Sequence, residues 1–217
     1  VRVGSTGKAF AWTAREGPAR DAPDEDEGRP ALQHANTRTL LAYWDARRRG
    51  EPAPARADIA PQDLGALLSH IFLLRRMDRE HHVFRLAGTG LCGLHKREFR
   101  DQNFLSMWSD HDRAHMTALL EGALGAPAPA RALCEAVTLD GRTCPVELTL
   151  LPLRGPEGWL DRVLGLYQPL DPGRLGGRPV LRHRLTQLFP AVAAEPSMSL
   201  FSRDQTPSQS ALAANDI

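Results

Sequence analysis

Apolar and polar positions along this chain recur with two different periods, and the switch between them sets the order of its elements. From Asn36 to Gly50 the residues Leu40, Tyr43, Trp44 and Arg47 fall at helical spacing, with Asn36 or Thr37 available as the N-cap and Gly50 as the stop. Asp58 is positioned to cap a second, short helix that tolerates Pro61 in its first turn and buries Leu64, Leu67 and Leu68. His70 to Met77 carries apolar residues on both faces (Ile71, Phe72, Leu73, Leu74), the pattern of a central strand covered on each side. A second strand runs from His82 to Gly88, and Ala87-Gly88-Thr89-Gly90 supplies backbone freedom for an abrupt change of direction.

Leu91 to Asp110 reads as short helical turns that bury Leu91, Leu94, Phe104, Leu105 and Trp108. Asp110 or Asp112 opens a longer helix through Met116, Leu119, Leu120 and Ala123, closed by Gly125, Pro127 and Pro129. Strands are predicted near 131–139, 144–154 and 162–170, the first two joined by the hairpin signal Asp140-Gly141. Val146, Leu148 and Leu150 alternate with Glu147 and Thr149, giving one dry face and one partly wet face. Arg174 to Phe189 offers a further short element, weakened by Gly176, Gly177 and Pro179. The order predicts an α+β domain over residues 34–188: a five-stranded antiparallel sheet with helices on one face and an N-terminal flanking helix. Residues 1–33, with the acidic run Asp24-Glu25-Asp26-Glu27, and residues 189–217 lack the apolar content that offsets ordering entropy, so both are expected to be disordered tails.

Composition narrows the partners. A net charge of +1 over 217 residues gives no bulk drive toward nucleic acid or anionic membrane. No apolar run approaches the roughly 20 residues of a membrane span, and the N-terminal stretch has no export-type apolar region, so a cytoplasmic location is expected. Lys8 and Lys96 are the only lysines; an arginine-rich chain with abundant Ala, Gly and Pro points to a GC-rich genome, which discounts Arg47-Arg48-Arg49 as a phosphate site. Cys92, Cys134 and Cys144 are too few and too scattered for a disulfide framework or a zinc site.

Taken jointly, Tyr43-Trp44, Pro54-x-Arg56-x-Asp58-Ile59-x-Pro61, His70-x-Phe72 and Arg85-x-Ala87-Gly88-Thr89-x-Leu91 resemble a standalone PAS-like family, PAS_5, common in alphaproteobacteria. The match continues through Arg97, Glu98, Phe104, Trp108, Asp112 and Arg113 to Leu151-Pro152-Leu153, over roughly residues 36–185. The family usually has glycine where this chain has Lys96 and Asp101, which implies a reshaped turn at the rim of the usual PAS pocket. The resemblance also implies where cofactors would be held. Haem-binding relatives carry a histidine three residues after the position of Arg113, where this chain has Met116; His115 comes one residue early, a rotation of about 100°. Flavin photosensors use a reactive cysteine among polar partners, which Cys92 in Gly90-Leu91-Cys92-Gly93-Leu94 lacks. Haem and flavin are therefore disfavoured.

The remaining chemistry is sparse. His81 and His82 point to opposite faces of a strand, and His111 with His115 lacks a companion acidic motif, so no metal site is assigned. Neither a nucleophile elbow nor a P-loop is present, and no catalytic residue is assigned. Leu86, Leu94, Trp108, Met116, Leu148, Leu150 and Leu166 are candidates to line a pocket for an apolar small molecule, or else to form close-packed core. Tyr43 and Trp44 are candidates for a homodimer or partner contact, or else cover the domain's own sheet. The expected function is that of a non-enzymatic bacterial regulatory PAS protein that senses a small molecule or docks an unidentified signalling protein. A ligand-free structural or localisation adaptor is the alternative, and a small α+β enzyme the remote one.

Overall fold

The computed structural model describes residues 34–192; the tail expected at 1–33 and residues 193–217 of the one expected at 189–217 lie outside the described residues, while Phe189, placed in that tail, ends the last strand. Helix α1 spans Ala35–Arg48. Its cap is His34, whose ring Nδ1 accepts the Asn36 N–H at 3.1 Å, rather than Asn36 or Thr37. Thr37 is unavailable because it faces inward, in line with Leu40 and Trp44 on the buried stripe. Arg49 and Gly50, both left-handed, end the helix. Asp58 does not cap the next helix: it closes a 3-10 turn at Arg56–Asp58, the chain becomes extended at Ile59, and α2 (Pro61–Leu64) starts behind Ala60.

A 3-10 turn at Gly65–Ser69 leads into β1 (Ile71–Arg76) and β2 (His82–Ala87). Helix α3 (Thr89–His95), a 3-10 turn at Phe104–Met107 and α4 (Asp110–Gly125) follow. The chain then runs through β3 (Ala130–Thr138), β4 (Thr143–Arg154), β5 (Leu160–Pro169) and β6 (Val180–Phe189). All neighbours pair antiparallel in the order β2-β1-β5-β4-β3-β6. The sheet thus has six strands where five were expected. Gly176 and Gly177 take φ of 57° and 72°, so they turn the chain back toward the free edge of β3 ahead of β6 instead of interrupting a strand.

Two apolar cores lie on opposite faces of this sheet. On the inner face α3, α4 and the Phe104–Met107 turn pack over Phe72, Phe84, Leu148, Leu150 and Tyr167. On the outer face Leu40 and Trp44 of α1 pack with Leu151, Leu153, Leu164 and Leu166 of β4 and β5. The Trp44 indole N–H also donates to the Pro152 carbonyl at 2.8 Å, which fixes α1 to β4 by direction as well as by burial.

Close approach excludes a side chain at Gly88 and at Gly165. A Cβ on Gly88 would sit 2.3 Å from the Leu68 carbonyl oxygen, and its φ of −67° is ordinary, so the turn into α3 needs lack of bulk rather than unusual backbone freedom. A Cβ on Gly165 would sit 1.9 Å from the Phe72 ring, which lies across β5 from β1.

Candidate functional site

The chemically distinctive part of the inner core is a cluster of polar rings where α3, β5 and β6 converge. His95 is the last residue of α3 and donates from Nδ1 to the Leu91 carbonyl one turn earlier, at 2.9 Å. Tyr167 and His183 project inward from β5 and β6, and the Tyr167 hydroxyl meets His183 Nε2 at 2.8 Å. They reach across small side chains on β3 and β4: Ala132, Cys134, Ala136 and Cys144. Trp108 enters from the extended residue before α4. Ring centroids stand 5.3 Å apart for His95 and His183, 5.1 Å for Trp108 and His183, and 5.6 Å for His95 and Tyr167.

Burial sets the charge of this cluster. His95 is pushed down to about 4, chiefly by desolvation, with the Leu91 carbonyl pulling the other way. His183 is pushed down to about 3, by desolvation first and by the nearness of His95 second. Burial also raises the Tyr167 hydroxyl and the Cys134 and Cys144 thiols, so each stays protonated. At neutral pH the site is uncharged and rich in hydrogen-bonding atoms. Three of those atoms are buried without a hydrogen bond: His95 Nε2, His183 Nδ1 and the Trp108 indole N–H. Leaving such a group unpaired costs about 1–3 kcal/mol.

Around the cluster the interior is aromatic. Phe72 stacks on Phe104 at 5.5 Å, Phe84 lies 4.9 Å from Phe99, and Phe104 stands 6.1 Å from Trp108. A second polar knot ties α4 to the far edge of the sheet. Arg76 grips the Glu121 carboxylate through bonds of 2.7 and 2.9 Å, with the fully buried His82 ring 3.1 Å away. Arg76 holds the Glu121 carboxyl low, whereas burial outweighs Glu121 and lowers His82.

Trp108, Met116, Leu148 and Leu150 share the inner core, with Leu94 packed half-buried against it. Leu86 and Leu166 do not join them. A bulge pairs Leu73 with Leu86 and Leu74 with Phe84, leaving Arg85 unpaired; this turns Leu86 to the outer side of the edge strand, 42% exposed. Leu166 pairs with Thr149 and belongs to the core beneath α1. Trp44 is buried there too, while Tyr43 is half-buried, its hydroxyl accepting the Ala60 N–H at 3.0 Å. A shallow groove of about 240 Å³ runs beside Trp44, between Leu41, Arg48 and Pro129.

Sequence reasoning found Trp108 but not His95, Tyr167 or His183. The signals available were weak: a histidine four residues after Leu91 in a short helix, and inward positions on two strands.

At the positions that the resemblance implies, the structure offers neither an inward haem-ligating histidine nor an activated thiol. His111 and His115 lie on the exposed side of α4, their rings 4.4 Å apart, while Met116 points inward. Cys92 lies beside Glu98, its sulfur 3.6 Å from the carboxylate, and burial together with that charge raises the thiol pKa, opposite to the need of a thiol nucleophile. Among the described residues no group of three or more His, Cys, Asp or Glu is arranged to hold a metal, and no helix is long and apolar enough to cross a membrane.

Lys96 and Asp101, where glycine was expected, both take left-handed backbone, φ 53° and 62°. Glycine adopts such a conformation freely, so both residues carry backbone strain that glycine would not.

No curated protein matches the chain. Among solved structures it is similar to a light-oxygen-voltage domain studied with a flavin analogue, at 15% identity over 50% of this chain and 82% of that one, TM-score 0.40. It is similar at 15% identity to a PAS domain from Colwellia psychrerythraea, over 50% of this chain and 94% of that one, TM-score 0.41. A third similar structure is VqmA of Vibrio cholera in complex with ligand and DNA, at 14% identity over 52% of this chain and 53% of that one, TM-score 0.41. The PAS domain family PAS_5 matches residues 32–168, more than half of the sequence, and the chain belongs to that family.

Proposed function

We propose that this chain is a non-enzymatic, cytoplasmic regulatory protein of bacterial signalling, in which occupancy of the inner core controls what binds at the α1 layer. One observation carries the reading: β5 has its two faces in different cores. Tyr167 points into the ring cluster, and its neighbours Leu166 and Gln168 point the other way. Gln168 accepts a hydrogen bond from the Asn36 side chain of α1 at 2.8 Å. A guest that displaces Tyr167 therefore acts on the strand that carries α1, and shifts its packing only by as much as it binds one arrangement better than the other. The partner is an unidentified signalling protein or a second copy of the chain, meeting α1 near Tyr43 and the groove beside Trp44. Met116, Leu148 and Leu150 supply apolar wall on the inner side.

The ligand-free adaptor is the second reading, favoured by the closely spaced rings that occupy the inner core. Affinity capture with the full chain, compared with Asn36→Ala and Leu41→Asp variants, tests the regulatory reading. The expected result is a defined partner or self-association that weakens in both variants. Capture that ignores both changes, or none at all, rejects it. Native mass spectrometry of the chain purified from its own host then separates the two readings: bound mass above 23.9 kDa favours the sensor, and the bare chain in complex with a partner favours the adaptor.

A further inference from the structure

We propose that the His95–Trp108–His183 cluster binds a small uncharged molecule offering one hydrogen-bond donor and one acceptor side by side, as a primary amide or lactam edge does. The proposal rests on the sensor reading and gives its ligand a chemical class. With Nδ1–H committed to the Leu91 carbonyl, His95 Nε2 presents only a lone pair, and it has no partner. The Trp108 indole N–H can only donate, and it too has none; the third unpaired atom, His183 Nδ1, lies by the Met107 backbone, which pulls the ring's pKa up. His95, Trp108 and His183 are 6%, 2% and 3% exposed, so bulk water satisfies none of these atoms. His95 and Trp108 both pack on the His183 ring, at 5.3 and 5.1 Å, which sets an unpaired acceptor and an unpaired donor against one imidazole.

That pair selects among guests. A carboxylate has no proton for His95, and an ammonium has no lone pair for Trp108. A hydrocarbon leaves both atoms unpaired, so the purely apolar ligand expected from the leucines is the wrong class. A neutral molecule with a donor and an acceptor satisfies both, and the rings of Phe104 and Tyr167 beside Trp108 and His183 favour a flat one. His183 rides on β6, the edge strand, so the cluster is reached by displacing one strand with a single neighbour. Occupancy would press on Tyr167 and hence on β5 beneath α1.

The test uses the full chain labelled with 15N. It has four tryptophans, and a Trp108→Phe variant identifies the Trp108 indole signal among them. The probes are 2-pyrrolidone and acetamide, with propionate and propylammonium as charged controls. The neutral probes are expected to move the Trp108 indole N–H and the His95 Nε2 resonances saturably, and to bind about tenfold more weakly to His95→Phe. No saturable movement in the wild-type chain overturns the proposal without relying on any variant to fold. So does equal response to the charged controls, or a tightly held water that the neutral probes fail to displace. Failure here with α1-dependent partner capture intact rejects the site alone; loss of that capture dependence rejects the regulatory reading.

Discussion

Lys96 is the C-cap of α3, directly after His95, and holds φ 53° and ψ 34°. A side chain in that region costs about 1–2 kcal/mol through crowding of Cβ against the carbonyl. Glycine removes this cost but returns part of it through the greater freedom of the unfolded chain, about 0.4–1 kcal/mol. Lys96→Gly is therefore expected to stabilise the fold by roughly 0.5–1 kcal/mol, a rise in melting temperature of about 1–4 °C for a domain of this size. Asp101→Gly should gain less, because it loses the exposed 2.7 Å ion pair with Arg85, worth only a few tenths of a kcal/mol. Thermal melts followed by circular dichroism check both, and a lower melting point for Lys96→Gly would mean that its side chain makes a contact worth more than the backbone strain.

Among the elements, β1 and β5 meet most tightly where the Phe72 ring covers Gly165. That ring also stacks on Phe104, so a methyl group at 165 must push Phe72 toward the turn that carries Trp108. Gly165→Ala is expected to cost about 2–3 kcal/mol in urea unfolding, as overpacking of a filled core does, and to shift the Trp108 fluorescence of the folded state. A change below roughly 0.5 kcal/mol would show that Phe72 has room to move. Gly165 had no reading of its own in the sequence, since close approach involves a partner far away along the chain. Elements with their own period were legible: α1 and α4 from helical spacing, β1 from apolar residues on both faces, β4 from alternation. What escaped was set by contact across the sheet. The Leu73–Leu74 bulge redirects Leu86, which alternation alone cannot show. Gly176, Gly177 and Pro179 weakened the reading of a further element over Arg174 to Phe189, although they only turn the chain onto β3. The candidate site was obscured for the same reason, because a single inward histidine on α3 and another on β6 carry no shared local signature.

For the whole molecule, these buried histidines make stability depend on pH in a definable window. His95 and His183 sit near 4 and 3 in the folded chain and near 6.5 when it unfolds. Above pH 7 they are neutral in both states and impose no penalty. As pH falls below 6.5 the unfolded chain takes up protons that the folded chain refuses, so stability drops steadily until the folded values are reached. By pH 5 each histidine has cost about 2 kcal/mol, and the two costs add because both remain neutral in the fold. His70 and His82, also lowered by burial, act in the same direction. The carboxylates Asp78, Glu121 and Asp140 are held low by their partners, so their stabilisation is lost only below about pH 4.5, outside this window. Urea unfolding at pH 8, 6.5, 5.5 and 5 should therefore show a loss of roughly 4 kcal/mol or more, most of it below 6.5. The His95→Phe variant, which retains an aromatic ring at that position, should lose about 2 kcal/mol less over the same range. A flat profile from pH 8 to 5 would mean that the ring cluster opens to water at little cost. In that case the uncharged interior required for neutral-ligand recognition would not exist in solution.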